Sequence, residues 1–370
     1  MKKVFVLLLV LGLAAFMMIG CGNGEEGAAV DDNGEEVTNG DNGEAQDSDE
    51  ERTLIISNWG FGEDALIENI FRPFEEEHNV NIVLDTGNNS ERLIQVRTNP
   101  NHGVDLIYLA QSFAQEGFDE GLFKEIDYSR LPNAEYMHEQ ADIFKEEGQG
   151  PAYTVNRMGI IYNPEAIDFE ITSFEDLWKP ELAGKISIPE ISTTFGPAMV
   201  YAASDKAGVD ITTDQGDAAF EALADLNPNI VNTYTRSSDL VNMMASGEIV
   251  AAVAAEFAFG AVVESTPSAV FLDPSEGPYL NFNTINIVEG TENEDLAYEF
   301  IDYLLSEEVQ HRAALNVPDS PINTQVELTD EEAQFLTYQD QISNANTLDF
   351  TFVNEQLDDW VDRWNRTLNQ

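Results

Sequence analysis

Thr53-Leu54-Ile55-Ile56-Ser57, Val80-Asn81-Ile82-Val83-Leu84 and Val104-Asp105-Leu106-Ile107-Tyr108 are three short runs rich in β-branched residues. Helical periodicity fills the gaps between them, over Glu63–Glu77 and Ser90–Thr98, and resumes over Phe113–Glu120. Strand and helix alternating at this spacing argue for βαβ units and a parallel sheet, hence an α/β fold. A second set starts near Met158: strand Gly159–Tyr162, turn Asn163-Pro164, helix Ser173–Trp178 and strand Lys185–Ile188. Helices Gly196–Ala207, Thr213–Leu226 and Ser238–Ser246 follow, then the apolar strand Ile249–Ala255. Strand Ile285–Val288 and helix Asn293–Leu305 come next, and 331–370 reads as a helical tail. In that tail Trp360 and Trp364 stand four apart, so both indoles share one helix face.

The chain has 370 residues, 17 basic and 69 acidic, for a net charge of −52. Residues 53–370 alone are long enough for two modest domains and carry a net charge of −43. Such a balance excludes nucleic acid as a partner and adhesion to anionic lipid. Acids spread along the whole chain can be read as a sink for cations. They suit better a protein kept soluble in concentrated salt, a halophilic habit.

Lys2 and Lys3 precede an apolar run from Val4 to Gly20, which ends at the only cysteine, Cys21. This is the layout of an export signal; the rival reading is a membrane helix, for which about 17 apolar residues is the lower limit. Met18-Ile19-Gly20-Cys21 resembles the lipobox of bacterial lipoproteins, with Met18 where leucine is usual. The resemblance implies a signal peptide over 1–21 and lipidation at Cys21. Residues 22–51 hold twelve Asp/Glu and no Lys, Arg or aromatic residue. Such a stretch cannot bury enough apolar surface to order itself, so 22–52 reads as a disordered linker. The expected location is extracytoplasmic, lipid-anchored to the cell membrane, with no disulfide.

Gly60-Phe61-Gly62-Glu63-Asp64-Ala65 follows a strand and opens a helix, close to a dinucleotide fingerprint with Asp85 as its downstream acid. Export and the bulk of Trp59 before the first glycine argue against that reading. A glycine-rich turn at a strand's carboxyl end is nonetheless where open α/β sheets present ligands. Enzymatic signatures are lacking: His78, His102, His138 and His311 are scattered, and neither H-E-x-x-H nor G-x-S-x-G occurs. Counting Asp and Glu leaves a glycosidase-like carboxylate pair open, but any one pair is better read as acidic surface. Tyr153 and Tyr162 are isolated candidates for iron.

Ser173-Phe174-Glu175-Asp176-Leu177-Trp178-Lys179-Pro180 through Gly184-Lys185-Ile186 resembles a segment of the solute-binding proteins of ABC importers. Gly159-Ile160-Ile161-Tyr162-Asn163, Ser246-Gly247-Glu248-Ile249, Val104-Asp105-Leu106-Ile107 and Asn58-Trp59 resemble further elements of that family, in its order, across 53–330. The similar branch is the spermidine/putrescine-binding type. The resemblance implies a two-lobed periplasmic-binding-protein-like fold of type II, each lobe a sheet flanked by helices, with the solute in the cleft between. It places lobe one at 53–155 and 282–330, lobe two at 156–281, with crossings near Asn156 and Phe282, and the tail 331–370 packed on lobe one. It also implies a non-enzymatic monomer without cofactor or metal, whose partners are a small solute and the ABC permease subunits.

Carried over residue by residue, the polyamine site is incomplete. Trp59, after Asn58, keeps the first-strand tryptophan, while the expected tyrosine falls on Gly62 with Phe61 adjacent. The Ser/Tyr pair falls near Ala110 and Ser112, beside Gln111 and Phe113. Of the lobe-two acids Glu190 remains, followed by Thr193 or Thr194; the next tryptophan falls on Ala255, beside Glu256 and Phe257. The last carboxylate falls on Asn283 and its neighbouring tryptophan on Asn281. The resemblance therefore implies an importer receptor with a polyamine or other cationic amine as first-choice solute, Glu190 and Glu256 supplying the charge and Trp59 the aromatic face. Alternatives are another small solute, such as thiamine or iron, or an exported sensor or hydrolase.

Overall fold

Side chains along β1 (Arg52–Asn58) alternate between two apolar layers: Leu54 and Ile56 enter one buried cluster, and Ile55 packs on another. A strand covered on both faces belongs in a parallel sheet. β1 pairs in parallel with β2 (Val80–Thr86) on one side and with β3 (Leu106–Ala110) on the other. The computed structural model describes residues 52–60, 62–317 and 319–368. The expected signal peptide and residues 22–51 of the expected linker, including Cys21, lie outside the described residues, whereas Arg52, expected in the linker, opens β1.

The second half repeats the scheme. Strand β5 (Ile186–Pro189) pairs in parallel with β6 (Ile230–Tyr234) and β7 (Ala251–Ala255). Ala251, Val253 and Ala255 face one cluster, and Ala252 and Ala254 the opposite one. Two long strands join the halves, β4 (Ala152–Tyr162) and β9 (Tyr279–Ile287). β4 runs antiparallel to β9 over Ala152–Met158, then to β7 over Met158–Tyr162. β9 continues along β3 through Asn283–Ile287. The sheet order is β2-β1-β3-β9-β4-β7-β5-β6, with β8 (Val270–Leu272) beside β4. The register sets Asn156 opposite Asn281 and Val155 opposite Phe282.

Several elements differ from the sequence reading. The helix expected over Glu63–Glu77 contains a π turn at Ile67–Phe71, before Arg72–His78. Pro73 explains it, since proline has no N–H for the carbonyl four residues back and crowds it. Arg312 Nε donates to that carbonyl, on Asn69, at 2.6 Å. Ser173–Trp178 is a 3₁₀ turn, Phe174–Trp178, closed by a Ser173/Asp176 capping box. The strand β6 and the short β8 were not foreseen.

The helix expected over Thr213–Leu226 is broken. Gln215 and Gly216 both adopt positive φ, dividing Ile211–Asp214 from Asp217–Leu226. The C-terminal helix Phe350–Thr367 fills this break: Trp360 Nε1 donates to the Gln215 carbonyl at 3.0 Å, and a side chain at Gly216 would meet the same indole at 3.2 Å. For this helix the packing differs from that expected of the tail on the first lobe, while Ile342 and Ala345, earlier in the tail, lie in the first core cluster. Trp360 and Trp364 are fully buried in the cluster that holds Ile186, Met199 and Leu223, in the second half. The same helix touches the first half where Asn354 Nδ2 donates to the Ser112 carbonyl at 3.0 Å. Within 331–370, Asp340–Ser343 and Phe350–Thr367 are α-helical; the stretch 331–339 is turn and irregular chain.

Trp360→Ala removes a fully buried indole and its hydrogen bond. It should lower unfolding free energy by about 3–5 kcal/mol in urea denaturation. A loss below about 1 kcal/mol, the scale of a surface change, would remove the helix from the core.

Candidate functional site

Strand parity gathers the candidate residues on one face. Leu54 and Ile56 of β1 face the first core, and Asn58 is the next residue in that series. On β3, Leu106 and Tyr108 face the same core; Ala110 continues them and pairs with Asn283 of β9. Asn281 shares the side of Asn283 and pairs with Asn156 of β4. An irregularity between Ala152 and Thr154 lets Tyr153 join this face, where its ring meets Tyr108 edge-on at 4.7 Å. At its carboxyl end an apolar sheet face thus becomes polar and aromatic.

Trp59 is held firmly there. Its Nε1 donates to Asn89 Oδ1 at 3.0 Å, its ring stands edge-on to Tyr108 at 6.3 Å, and the Arg92 guanidinium lies 5.0 Å from its centre. Arg92 is buried and donates to the carbonyls of Gly87, Ser57 and Tyr108 and to Asn89 Oδ1. Desolvation lowers its pKa to about 10, so it stays charged at neutral pH and ties the ends of β1 and β3 together. Asn58 accepts from the Gly60 N–H at 2.9 Å, while its buried Nδ2 has no partner among the described residues. Gln111 and Ser112 open the helix Gln111–Asp119 directly after β3. Phe61 lies outside the described residues.

The crossing strands carry a hydrogen-bonded amide row. Asn281 Nδ2 donates to Asn283 Oδ1 at 3.1 Å, Asn283 Nδ2 to Asn156 Oδ1 at 3.1 Å, and Asn156 Nδ2 to Glu256 Oε1 at 3.2 Å. Glu256 was expected to face a solute, but it is buried and internally engaged. Thr337 Oγ1 donates to Oε1 at 2.7 Å and the Arg157 N–H to Oε2 at 2.9 Å. Burial pushes its pKa up, against the Arg157 charge and these donors. Its neighbour Phe257 is 57% exposed. Glu190 follows β5 elsewhere, accepting from the Thr233 hydroxyl at 2.6 Å, and its carbonyl accepts from the Thr193 N–H at 2.9 Å. The structure therefore brings Asn58, Trp59, Gln111 and Ser112 together, joins Asn281 and Asn283 to them through β9, and sets Glu190 with Thr193 in a separate turn.

Sequence reasoning missed Tyr108 and Asp319. With Leu66, Ile70, Tyr153, Leu304, Gln310 and Ala313 they line a cavity of about 10 Å³, the space of one water-sized group. The Tyr108 hydroxyl is buried without a partner. Asp319 is half-buried, and burial raises its pKa to about 7, with no donor or cation among the described residues to offset it. Desolvation and the Asp319 charge push both phenols well above their ordinary pKa, so they remain donors. A lone Asp among 69 acids has no local signature. Tyr153 and Tyr162, the iron candidates, sit near opposite ends of β4, Tyr153 in the first core cluster and Tyr162 in the second.

Residues 69–340 match the family described as bacterial extracellular solute-binding protein. The chain is 26% identical over 287 residues to the putrescine-binding periplasmic protein PotF of Escherichia coli K12, covering 70% of this chain and 75% of that protein. It is 27% identical over 240 residues to spermidine/putrescine-binding periplasmic protein 1 of Haemophilus influenzae, covering 62% of this chain and 64% of that one. A 1.85 Å crystal structure of an ABC transporter from Clostridium perfringens ATCC 13124 matches with a TM-score of 0.82 and 54% identity, over 85% of this chain and 100% of that one.

A carboxyl whose folded pKa lies above its unfolded value weakens folding as pH rises between the two. For Asp319 that window runs from 3.8 to about 7. In solute-free protein Asp319→Asn should melt with the wild type at pH 4 and above it at pH 8. A difference that stays constant across this range would mean that Asp319 is fully solvated.

Proposed function

The chain belongs to the bacterial extracellular solute-binding protein family and is the substrate-binding component of an ABC transporter, and on that premise we propose that its solute is a cationic amine. Such components are not enzymes; they bind a small solute and deliver it to the permease. The observation that carries the amine reading is the edge-to-face run Trp59, Tyr108, Tyr153 at the carboxyl end of β1 and β3. Aromatic rings attract ammonium groups through their π faces. The names of the relatives, putrescine- and spermidine/putrescine-binding, support the same class.

In this reading lobe one comprises 53–155 with 282–330, and lobe two comprises 156–281 with the helix Phe350–Thr367 packed on it. β4 and β9 form the crossing between them. Glu190, Thr193 and Phe257 are the second-lobe residues that close on the solute held by Asn58, Trp59, Gln111, Ser112, Asn281 and Asn283. Hinge closure of this kind is a common switching mode in two-lobed receptors. The receptor acts as a monomer tethered by lipid at Cys21, at the end of the acidic linker. The net charge of −52 supports work in concentrated salt.

Titration calorimetry with a panel of amines, neutral sugars and carboxylates tests the solute class. At least one amine should bind, and Trp59→Ala should weaken it by about 2- to 30-fold, the range of a cation–aromatic contact. Binding of sugars or carboxylates alone would sink the amine reading and leave the transporter role intact.

Anchoring has its own test. Cys21→Ser should move the protein from the membrane fraction to the soluble fraction. A variant that stays with membranes after carbonate washing would exclude the lipid tether.

A further inference from the structure

The hydrogen-bonded row across the crossing strands has a direction. Asn281 donates to Asn283 at 3.1 Å, Asn283 to Asn156 at 3.1 Å, and Asn156 to Glu256 at 3.2 Å. An amide side chain has an oxygen end and a nitrogen end, and its neighbours decide which way it points. Here the deciding neighbours are groups without that choice. A guanidinium only donates, and Arg157 Nη1 donates to Thr337 Oγ1 at 3.2 Å. The Thr337 hydrogen is therefore left for Glu256 Oε1, at 2.7 Å. The Arg157 backbone N–H holds Oε2 at 2.9 Å. Glu256 thus presents an acceptor to Asn156, whose Nδ2 turns toward it. That leaves Asn156 Oδ1 for Asn283, and Asn283 Oδ1 for Asn281.

The far end of the row follows from this order. Asn281 commits its Nδ2 to Asn283, and its Oδ1 is buried without a partner among the described residues. Buried polar atoms are normally satisfied, so this oxygen calls for a donor from outside the chain. Its place suits a solute. Asn283 is level with Ala110, the last residue of β3, so Asn281 stands beyond that strand's carboxyl end. In the two-lobed reading β9 is a crossing strand, and a solute meets Asn281 as the lobes part and close.

We propose that Glu256 is a positioning residue of the solute site: without touching the solute, it orients Asn156, Asn283 and Asn281 so that an amide oxygen, not an amide nitrogen, meets the solute. The group recognised is then a hydrogen-bond donor. Within the amine reading, on which this rests, the donor is an N–H of the cationic head. A carboxylate buried in the crossing is felt at the site as the polarity of three neutral amides.

Glu256→Gln separates this role from a purely structural one. The Arg157 backbone N–H cannot turn, so the new side chain must set its oxygen in the place of Oε2 and its nitrogen in that of Oε1. The row then reverses, and Asn281 presents Nδ2. Neutron diffraction from crystals exchanged into heavy water reads each amide directly. The Asn156 deuterons should point to residue 256 in the wild type and to Asn283 in the variant. Putrescine and spermidine are the probes for calorimetry on the full mature chain. At least one should bind the wild type, and Glu256→Gln and Asn281→Leu should each weaken it about tenfold or more, the scale of a hydrogen bond to a charged group. Adding Asn281→Asp to Glu256→Gln should bring affinity back to within severalfold of the wild type, because a carboxylate accepts whichever way the row runs. Exposed Glu165→Gln serves as control and should bind as wild type. Deuterons that keep their wild-type direction in Glu256→Gln, or a double variant that binds no better than Glu256→Gln, would overturn the positioning role. If an amine binds and Asn281→Leu binds it as well as wild type, the Asn281 contact is overturned and the amine reading stands. If neither amine binds the wild type, the amine reading falls and takes the N–H contact with it, while diffraction still decides the direction of the row.

Discussion

The register between β4 and β9 is the constraint on which both halves depend. These strands stand at the centre of one nine-stranded sheet and join its two halves, and Asn156 opposite Asn281 fixes which side chains face the polar row. A slip of one residue would exchange the two faces along the whole pair, placing Asn156 in the core and Val155 among the polar groups. Phe282 opposes that slip from the core side, where it meets Phe144 edge-on at 5.6 Å. On the polar side the opposition comes from Glu256, whose two oxygens accept from Asn156 and from the Arg157 N–H on the same strand.

Glu256 shows why a buried acid near a cleft need not touch a ligand. An ionised carboxylate taken from water is costly unless donors surround it, and breaking such a pair leaves a charge uncompensated. Here the donors are internal, and Arg157 extends the network to Asp273 at 2.7 Å and the Leu336 carbonyl at 2.7 Å. The segment carrying Leu336 and Thr337 is thereby fastened to the crossing strands. Asp319 differs: no donor among the described residues answers its burial, and its carboxyl is pushed up by desolvation.

Much of the fold was legible in the sequence because both halves obey local rules. Runs such as Thr53–Ser57 and Ile249–Ala255 announce strands, and Gly196–Ala207 coincides with its helix, closed by Gly208 in the left-handed conformation. Local rules failed where a distant residue decides. The helix through Gln215 is interrupted because Trp360, 145 residues away, takes its carbonyl. The π turn before Pro73 is completed by Arg312, 243 residues from the Asn69 carbonyl that it satisfies. For the candidate site, Trp59, Asn281 and Asn283 are reached through the resemblance to spermidine/putrescine-binding proteins and not through any local pattern. The engagement of Glu256 by Thr337, and the approach of Asp319 to Tyr108 and Tyr153, arise from chain returns that leave no pattern in the primary structure.

A strongly acidic surface also explains why the polar floor is built of amides. With a net charge of −52 the protein attracts cations of every kind, so added carboxylates in the cleft would raise attraction without discrimination. In concentrated salt the surface field reaches only about 3 Å at 1 M, whereas a desolvated charge in a low-dielectric crevice is screened much less. A single half-buried acid therefore keeps its strength where exposed acids lose theirs. Amides add hydrogen bonds that salt does not screen and that only a correctly shaped polar group can complete. Under the amine reading proposed above, the aromatic run and the row of asparagines are the groups through which so acidic a protein would select its solute by shape and hydrogen bonding rather than by charge alone.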